Sequence, residues 1–263
     1  MQVLKSWVLI GLIGMSVSSA SFAGKDAQAL IELDKQFVTI PEGFLPLQDP
    51  QNPENLISVQ SFQAARYPVT EKLWQEIRGS FPDAETGFVS HGPNYPITHV
   101  NWENTDGSPA EVQEFLRKLN LVAKQEGQRC IYDLPTDHQL WYLDRADVSG
   151  KNTAEYSVAK DKQGNLIDVT DANVDEYMTY SGNSNGKIQP VGGKKLNAFG
   201  IERGNVSKMS KDLFDSTEPT WGRSVRGGSC VSVLSCTRSQ FSCRAFAGDR
   251  GEWIGFSLVR TCW

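Results

Sequence analysis

Beyond its first two dozen residues, the chain has no apolar run approaching the roughly 20 residues that a membrane-spanning helix requires. No membrane span is therefore expected. Histidine is scarce: His91, His99 and His138 are the three copies. They are scattered, and no Cys/His spacing matches a zinc site. Positive charge is also short, with 26 Lys and Arg against 31 Asp and Glu, a formal net charge of −5. That balance argues against a nucleic-acid partner, which calls for clustered Lys and Arg. No internal repeat and no linker-like composition divides the sequence, so a single folded domain is expected.

What is present begins with an export signal. Lys5 gives a short positive start, Trp7 to Val17 is apolar, and Ser21-Phe22-Ala23 offers small residues at cleavage positions. Residues 1–23 read as a secretory signal peptide, followed by an N-terminal segment at 24–36 and a domain at 37–263. No cysteine follows the apolar run, so no lipid anchor is indicated. Loss of Lys5 with the signal takes the net charge from −5 to −6. The expected location is the periplasm or the exterior. In such an oxidising compartment the five cysteines predict two disulfides with one thiol left over, connectivity open.

The local pattern mixes short helices and strands. Residues 26–36 suit a short amphipathic helix through Leu30, Ile31 and Leu33. Strands are expected at Phe37–Ile40, Leu56–Phe62 and Tyr95–Trp102. Thr70 caps a helix carrying Leu73, Trp74 and Ile77. Ser108, Pro109 and Glu111 read as the capped start of another, with Val112, Phe115, Leu116 and Leu119 inward and Gly127 as its stop. Thr136 and Gln139 form a capping box for a third, with Trp141 and Ala146 facing inward and His138 at the surface. Residues 147–189 read as polar loop. From Val225 to Val259 a small-residue, aromatic and arginine-rich loop is pinned between two short strands. Gly227, Gly228 and Gly255 allow close backbone approach there. The whole is an α+β domain with little regular structure.

Read in order, nine landmarks resemble one family. They are Ile40-Pro41-Glu42-Gly43, Tyr67-Pro68-Val69-Thr70, His99-Val100-Asn101-Trp102, Leu134-Pro135-Thr136-Asp137 with Trp141, and Pro190-Val191-Gly192. Then come Asn197-Ala198-Phe199-Gly200, Gly204-Asn205-Val206, Arg226-Gly227-Gly228-Ser229 and Gly255-Phe256. The series is similar to the formylglycine-generating enzyme, or sulfatase-modifying factor, domain. The resemblance implies a C-type-lectin-like α+β fold, often stabilised by calcium, and in the true enzymes an oxygen-dependent, copper-binding oxidase. That enzyme uses two cysteines three and eight positions after the serine of the Arg-Gly-Gly-Ser motif. Ser232 and Thr237 stand there, and a hydroxyl is a poor ligand for soft Cu(I). Where the family has a calcium-binding Glu, Lys208 stands, and an ammonium cannot coordinate a hard cation. Asn205 and Asn173 (near Asp171) remain as calcium candidates.

Two functions follow. In the first, the domain lacks the oxidase chemistry and is a module binding an unidentified protein or small molecule in the envelope or outside the cell. Noncatalytic members, including variable proteins of diversity-generating retroelements, display side chains between these strands. Ser232, Val233, Phe241, Phe246, Glu252 and Trp253 fill comparable positions. In the second, a shifted pair, Cys230 and Cys236, oxidises a substrate cysteine to formylglycine, and only there is copper implied. The first expects Cys230 and Cys236 to be locked in disulfides. Unbridged thiols beside Arg226 favour the second.

Overall fold

The computed structural model describes residues 17–46, 55–102, 110–151, 154–215, 217, 222–246 and 248–263. Helix α1 (Val17–Asp34) runs further toward the N-terminus than expected and spans the predicted cleavage point. Among its described side chains Ala29, Leu30 and Leu33 are buried, whereas Ile31 is exposed. Strand β1 (Phe37–Ile40) forms as predicted, then β2 (Gly43–Pro46) pairs antiparallel with β3 (Leu56–Val59). The single strand expected over 56–62 is instead broken at Gln60-Ser61, and β4 (Phe62–Ala65) turns back onto β1. At the break, the Ser61 hydroxyl donates to the Ile40 carbonyl at 2.8 Å.

Helix α2 (Glu71–Arg78) starts where its cap says it should, the Thr70 hydroxyl accepting from the Leu73 amide. The next predicted strand does not form. Residues 95–102 make only an isolated bridge between Thr70 and Pro96, and His99 takes a left-handed φ of 57° that ends any extended run. Helix α3 (Glu111–Gln125) begins at Ala110, with no side-chain cap of its own. The expected cap, Ser108, lies outside the described residues. The first-turn amide of Val112 instead donates to the Asn101 carbonyl at 3.1 Å, so a distant segment does the cap's work. The apolar face is as expected: Val112, Phe115, Leu116 and Leu119 are buried. The helix runs out at Gly127 (φ 74°).

Strand β5 (Cys130–Asp133) leads to α4 (Asp137–Arg145), whose Thr136–Gln139 capping box is present in both directions. Trp141 and Ala146 are buried and His138 is exposed. The 147–189 stretch, expected to be loop, carries regular structure. β6 (Ser157–Lys160) and β7 (Leu166–Val169) form a hairpin, followed by α5 (Val174–Tyr177), β8 (Met178–Thr179) and α6 (Ser181–Ser184). Its apolar residues Tyr156, Ala159, Val169, Val174, Tyr177 and Met178 bury each other in a satellite cluster.

Strand β9 (Arg203–Gly204) pairs with β8. β10 (Ser207–Leu213), β11 (Arg223–Arg226), β12 (Ser242–Ala245) and β13 (Ile254–Gly255) build a four-stranded sheet in the order β12-β11-β10-β13. The Val225–Val259 stretch is thus pinned in this sheet by β11 at its start and by β13 at Ile254–Gly255, while its last residue, Val259, belongs to another sheet. It also contributes an unpredicted strand, β12, between them. Phe256–Leu258 lies outside any strand, although its carbonyls accept from the Val69 and Ala65 amides. The last strand, β14 (Val259–Cys262), lies between β4 and β5 in a second four-stranded sheet, β1-β4-β14-β5.

The main core lies where α1, α2 and α3 meet these sheets. Trp74 stacks on Phe115 at 5.3 Å, and Phe256 meets both rings edge-on. Cys130 and Cys262, opposite each other across β5 and β14, form a disulfide. Two disulfides were expected, but Cys230, Cys236 and Cys243 are all unbridged. No helix among the described residues is long and apolar enough to cross a membrane.

Candidate functional site

The Arg226-Gly227-Gly228-Ser229 turn leaves β11 and forms one wall of a groove of about 330 Å³. Val231, Ser232, Val233, Cys236, Phe241 and Cys243 line the remainder with Ser207 and Val225. Arg226 does not offer its charge to this space. Its Nε and Nη2 donate to the two carboxylate oxygens of Asp137 at 2.7 and 2.6 Å, Nη1 reaches the Gln240 carbonyl at 3.3 Å, and the guanidinium lies over Trp141. The motif arginine therefore clamps the start of α4 to the groove wall. Burial pushes the Asp137 carboxyl up, but the bonds from Arg226 and Ser224 outweigh it and hold the group below its ordinary range.

Gly228 sits at φ 69°, and a Cβ there would lie 2.6 Å from Thr237 Cγ2. The turn can be this close to the facing 3-10 turn (Leu234–Thr237) only with glycine. Below that second turn lies Arg203. It is fully buried, paired with Asp144 at 2.9 Å, and it donates to the carbonyls of Asp144, Tyr156 and Thr237. One side chain thus ties the end of α4, the β6 hairpin and the groove's far wall together.

Both hydroxyls at the positions of the oxidase cysteines serve the backbone. Ser232 Oγ accepts from the Ser229 amide at 2.9 Å, and Thr237 Oγ1 donates to the Leu234 carbonyl at 2.7 Å. Neither fits copper at these positions.

Of the six expected binding residues, the groove brings together Ser232, Val233 and Phe241. Val233 is 58 % exposed at its rim. Phe246 is exposed away from the lining, with Arg244 over its ring. Glu252 and Trp253 belong to a separate exposed turn, where the Trp253 carbonyl accepts from Ser207 and the Glu252 charge acts on His99.

Cys230 and Cys236, expected to be disulfide-locked in a binding module, are unbridged and do not share the groove. Cys230 is completely buried against Ile188 and Val206. Burial pushes its thiol up to about 11. The two thiols that do line the groove are Cys236 and Cys243, and Cys243 was not expected there. Burial, then the neighbouring Cys236, push the Cys243 thiol up. The missed signal is the alternation of β12, which sends Cys243 of Ser242–Ala245 toward the groove.

The calcium candidates are already engaged. Asn173 Oδ1 accepts from the Thr170 amide at 2.8 Å. Asn205, at φ 70°, exchanges hydrogen bonds with the Gln189 backbone at 2.9 and 2.8 Å. A larger depression of about 640 Å³, between Val38, Arg66, Val148, Leu166 and Phe199, contains none of the expected site residues.

The sulfatase-modifying factor enzyme 1-like domain matches residues 25–262. The chain belongs to this family. Among solved structures, Treponema denticola variable protein 1 superposes with a TM-score of 0.62 at 19% identity, covering 86% of this chain and 94% of that one. PvdO from Pseudomonas aeruginosa gives 0.59 at 20%, with 85% and 93% covered. CarF gives 0.56 at 15%, with 86% and 98% covered. These likenesses establish the shared α+β, C-type-lectin-like fold. No curated protein matches the chain.

Proposed function

We propose that this family member is an exported binding module without the parent oxidase chemistry, and that the groove beside Arg226-Gly227-Gly228-Ser229 takes a segment of a protein or a small molecule. The observation that carries this reading is the groove's construction. Its inner wall is fixed by Arg226–Asp137 and Arg203–Asp144, whereas Val233 and Phe241 stand exposed at its mouth. Rigid support beneath exposed apolar contact residues is how binding surfaces hold affinity at low entropic cost. The Cys130–Cys262 disulfide supports an oxidising compartment. A photo-cross-linking residue placed at Val233 is expected to capture a defined species from envelope extract. The same residue at the exposed Leu166, in the other depression, should not. No species at Val233, or the same one at both positions, would defeat the proposal.

A second reading is favoured by one observation: Cys236 and Cys243 are unbridged and share the groove. Thiol chemistry on a substrate cysteine would use this pair rather than Cys230. Against it, the Cys243 thiol is pushed up rather than down, and the arginine lining the groove, Arg226, is committed to Asp137. Oxygen uptake with a cysteine peptide that Cys236→Ser and Cys243→Ser each abolish would establish this reading over the first.

A further inference from the structure

Beneath the same turn lies a charge that solvent does not reach. Lys208 of β10 is 4 % exposed, and its Nζ approaches the Gly204 carbonyl at 3.4 Å. A Cβ added to Gly227 would lie 3.3 Å from Lys208 Nζ and 3.5 Å from Asp144 Oδ2, so ammonium and carboxylate share the space that this glycine leaves open. Glu202 is also buried. Its Oε1 accepts from the Gly192 amide at 2.9 Å, while Glu202 Oε2 and Asp144 Oδ2 have no hydrogen-bond partner among the described residues. Burial pushes the Lys208 ammonium below its ordinary range, and Asp144 and Glu202 oppose that while Arg203 adds to it.

A main-chain carbonyl and two underused buried carboxylate oxygens are the donor set a hard dication takes. Here Lys208 Nζ approaches that carbonyl and shares the space beside Gly227 with Asp144 Oδ2. Two carboxylates, Asp144 and Glu202, face two cations, Arg203 and Lys208, so the buried group is neutral with nothing added. Were position 208 a glutamate, three carboxylates against Arg203 would leave two negative charges, which one calcium ion would cancel. Leaving buried charge uncompensated is strongly unfavourable.

We infer that Lys208 is an internal counter-cation, its ammonium filling the place of an oxygen-bound dication, so that the fold beneath the groove is held there without calcium.

The test is thermal unfolding of the full chain in EDTA and in millimolar calcium chloride, for wild type, Lys208→Glu and Lys208→Met. Lys208→Glu should melt lower than wild type in EDTA and recover by about 5 °C or more in calcium, the shift expected when a site is well saturated. Lys208→Met should melt lower in both buffers and respond to calcium no more than wild type. A Lys208→Glu chain whose calcium response does not exceed that of wild type, including one unfolded in both buffers, overturns the inference. So does a Lys208→Met chain as stable as wild type.

Discussion

The inner wall of the groove and its outer rim are held by different physics. On the inner side four polar side chains are committed: Arg226 to Asp137 and Gln240, Arg203 to three carbonyls and a carboxylate, and Ser232 and Thr237 to their own backbone. At the rim, Val233 and Phe241 keep exposed apolar surface. Buried charge tolerates almost no change, because removing one partner leaves the other without compensation. Exposed apolar groups can be exchanged at little cost to folding. The contrast separates what maintains the shape of the site from what a ligand would touch.

Arg203→Met should show the contrast most strongly. It leaves Asp144 without its partner and should cost about 3–5 kcal/mol in urea unfolding. A loss under about 1 kcal/mol would erase the distinction between wall and rim. Gly228→Ala comes next. It meets both a left-handed backbone and Thr237, and should cost about 1–3 kcal/mol in the same assay.

Asp137→Asn tests the clamp and gives it a pH signature. Because the folded Asp137 pKa lies below the unfolded value of 3.8, its contribution is complete above that value and lost as pH falls through the folded one. The stability gap between wild type and Asp137→Asn should therefore be constant above about pH 5 and close below about pH 4. A gap that widens in acid would contradict the assigned direction. Smallest of all, Val233→Asp with Phe241→Ala should change stability by under about 1 kcal/mol. That double variant should nevertheless lose any ligand recovered by cross-linking. Unfolding on this change would place the two side chains in the wall instead.

Local chemistry was readable in the sequence, and long-range closure was not. Thr70 and the Thr136–Gln139 box were legible because a cap needs only residues three apart. The start of α3 was not, because its amide is satisfied from Asn101. The strand expected at Tyr95–Trp102 has strand-like residues, but its fate is decided at His99, whose left-handed backbone no pattern announces. The β6–β7 hairpin was hidden by its polar, exposed positions, such as Lys160, mixed with glycine punctuation. In the site, the glycines and the arginine motif marked the groove. The partnership of Cys130 with Cys262 across 132 residues depended on a strand register that only the folded sheet defines. The same limit hid Cys243.

Strand β14 has a consequence for how the molecule is made. It is the final strand in the sequence, yet it occupies an interior place in its sheet, flanked by β4 and β5. Until residues 259–262 emerge, those neighbours each expose a row of bare amides and carbonyls. A premature stop or proteolytic nick ahead of Val259 would therefore leave a sticky intermediate rather than a shortened domain. The sheet could close around β14 only once residues 259–262 were available to pair with both neighbours.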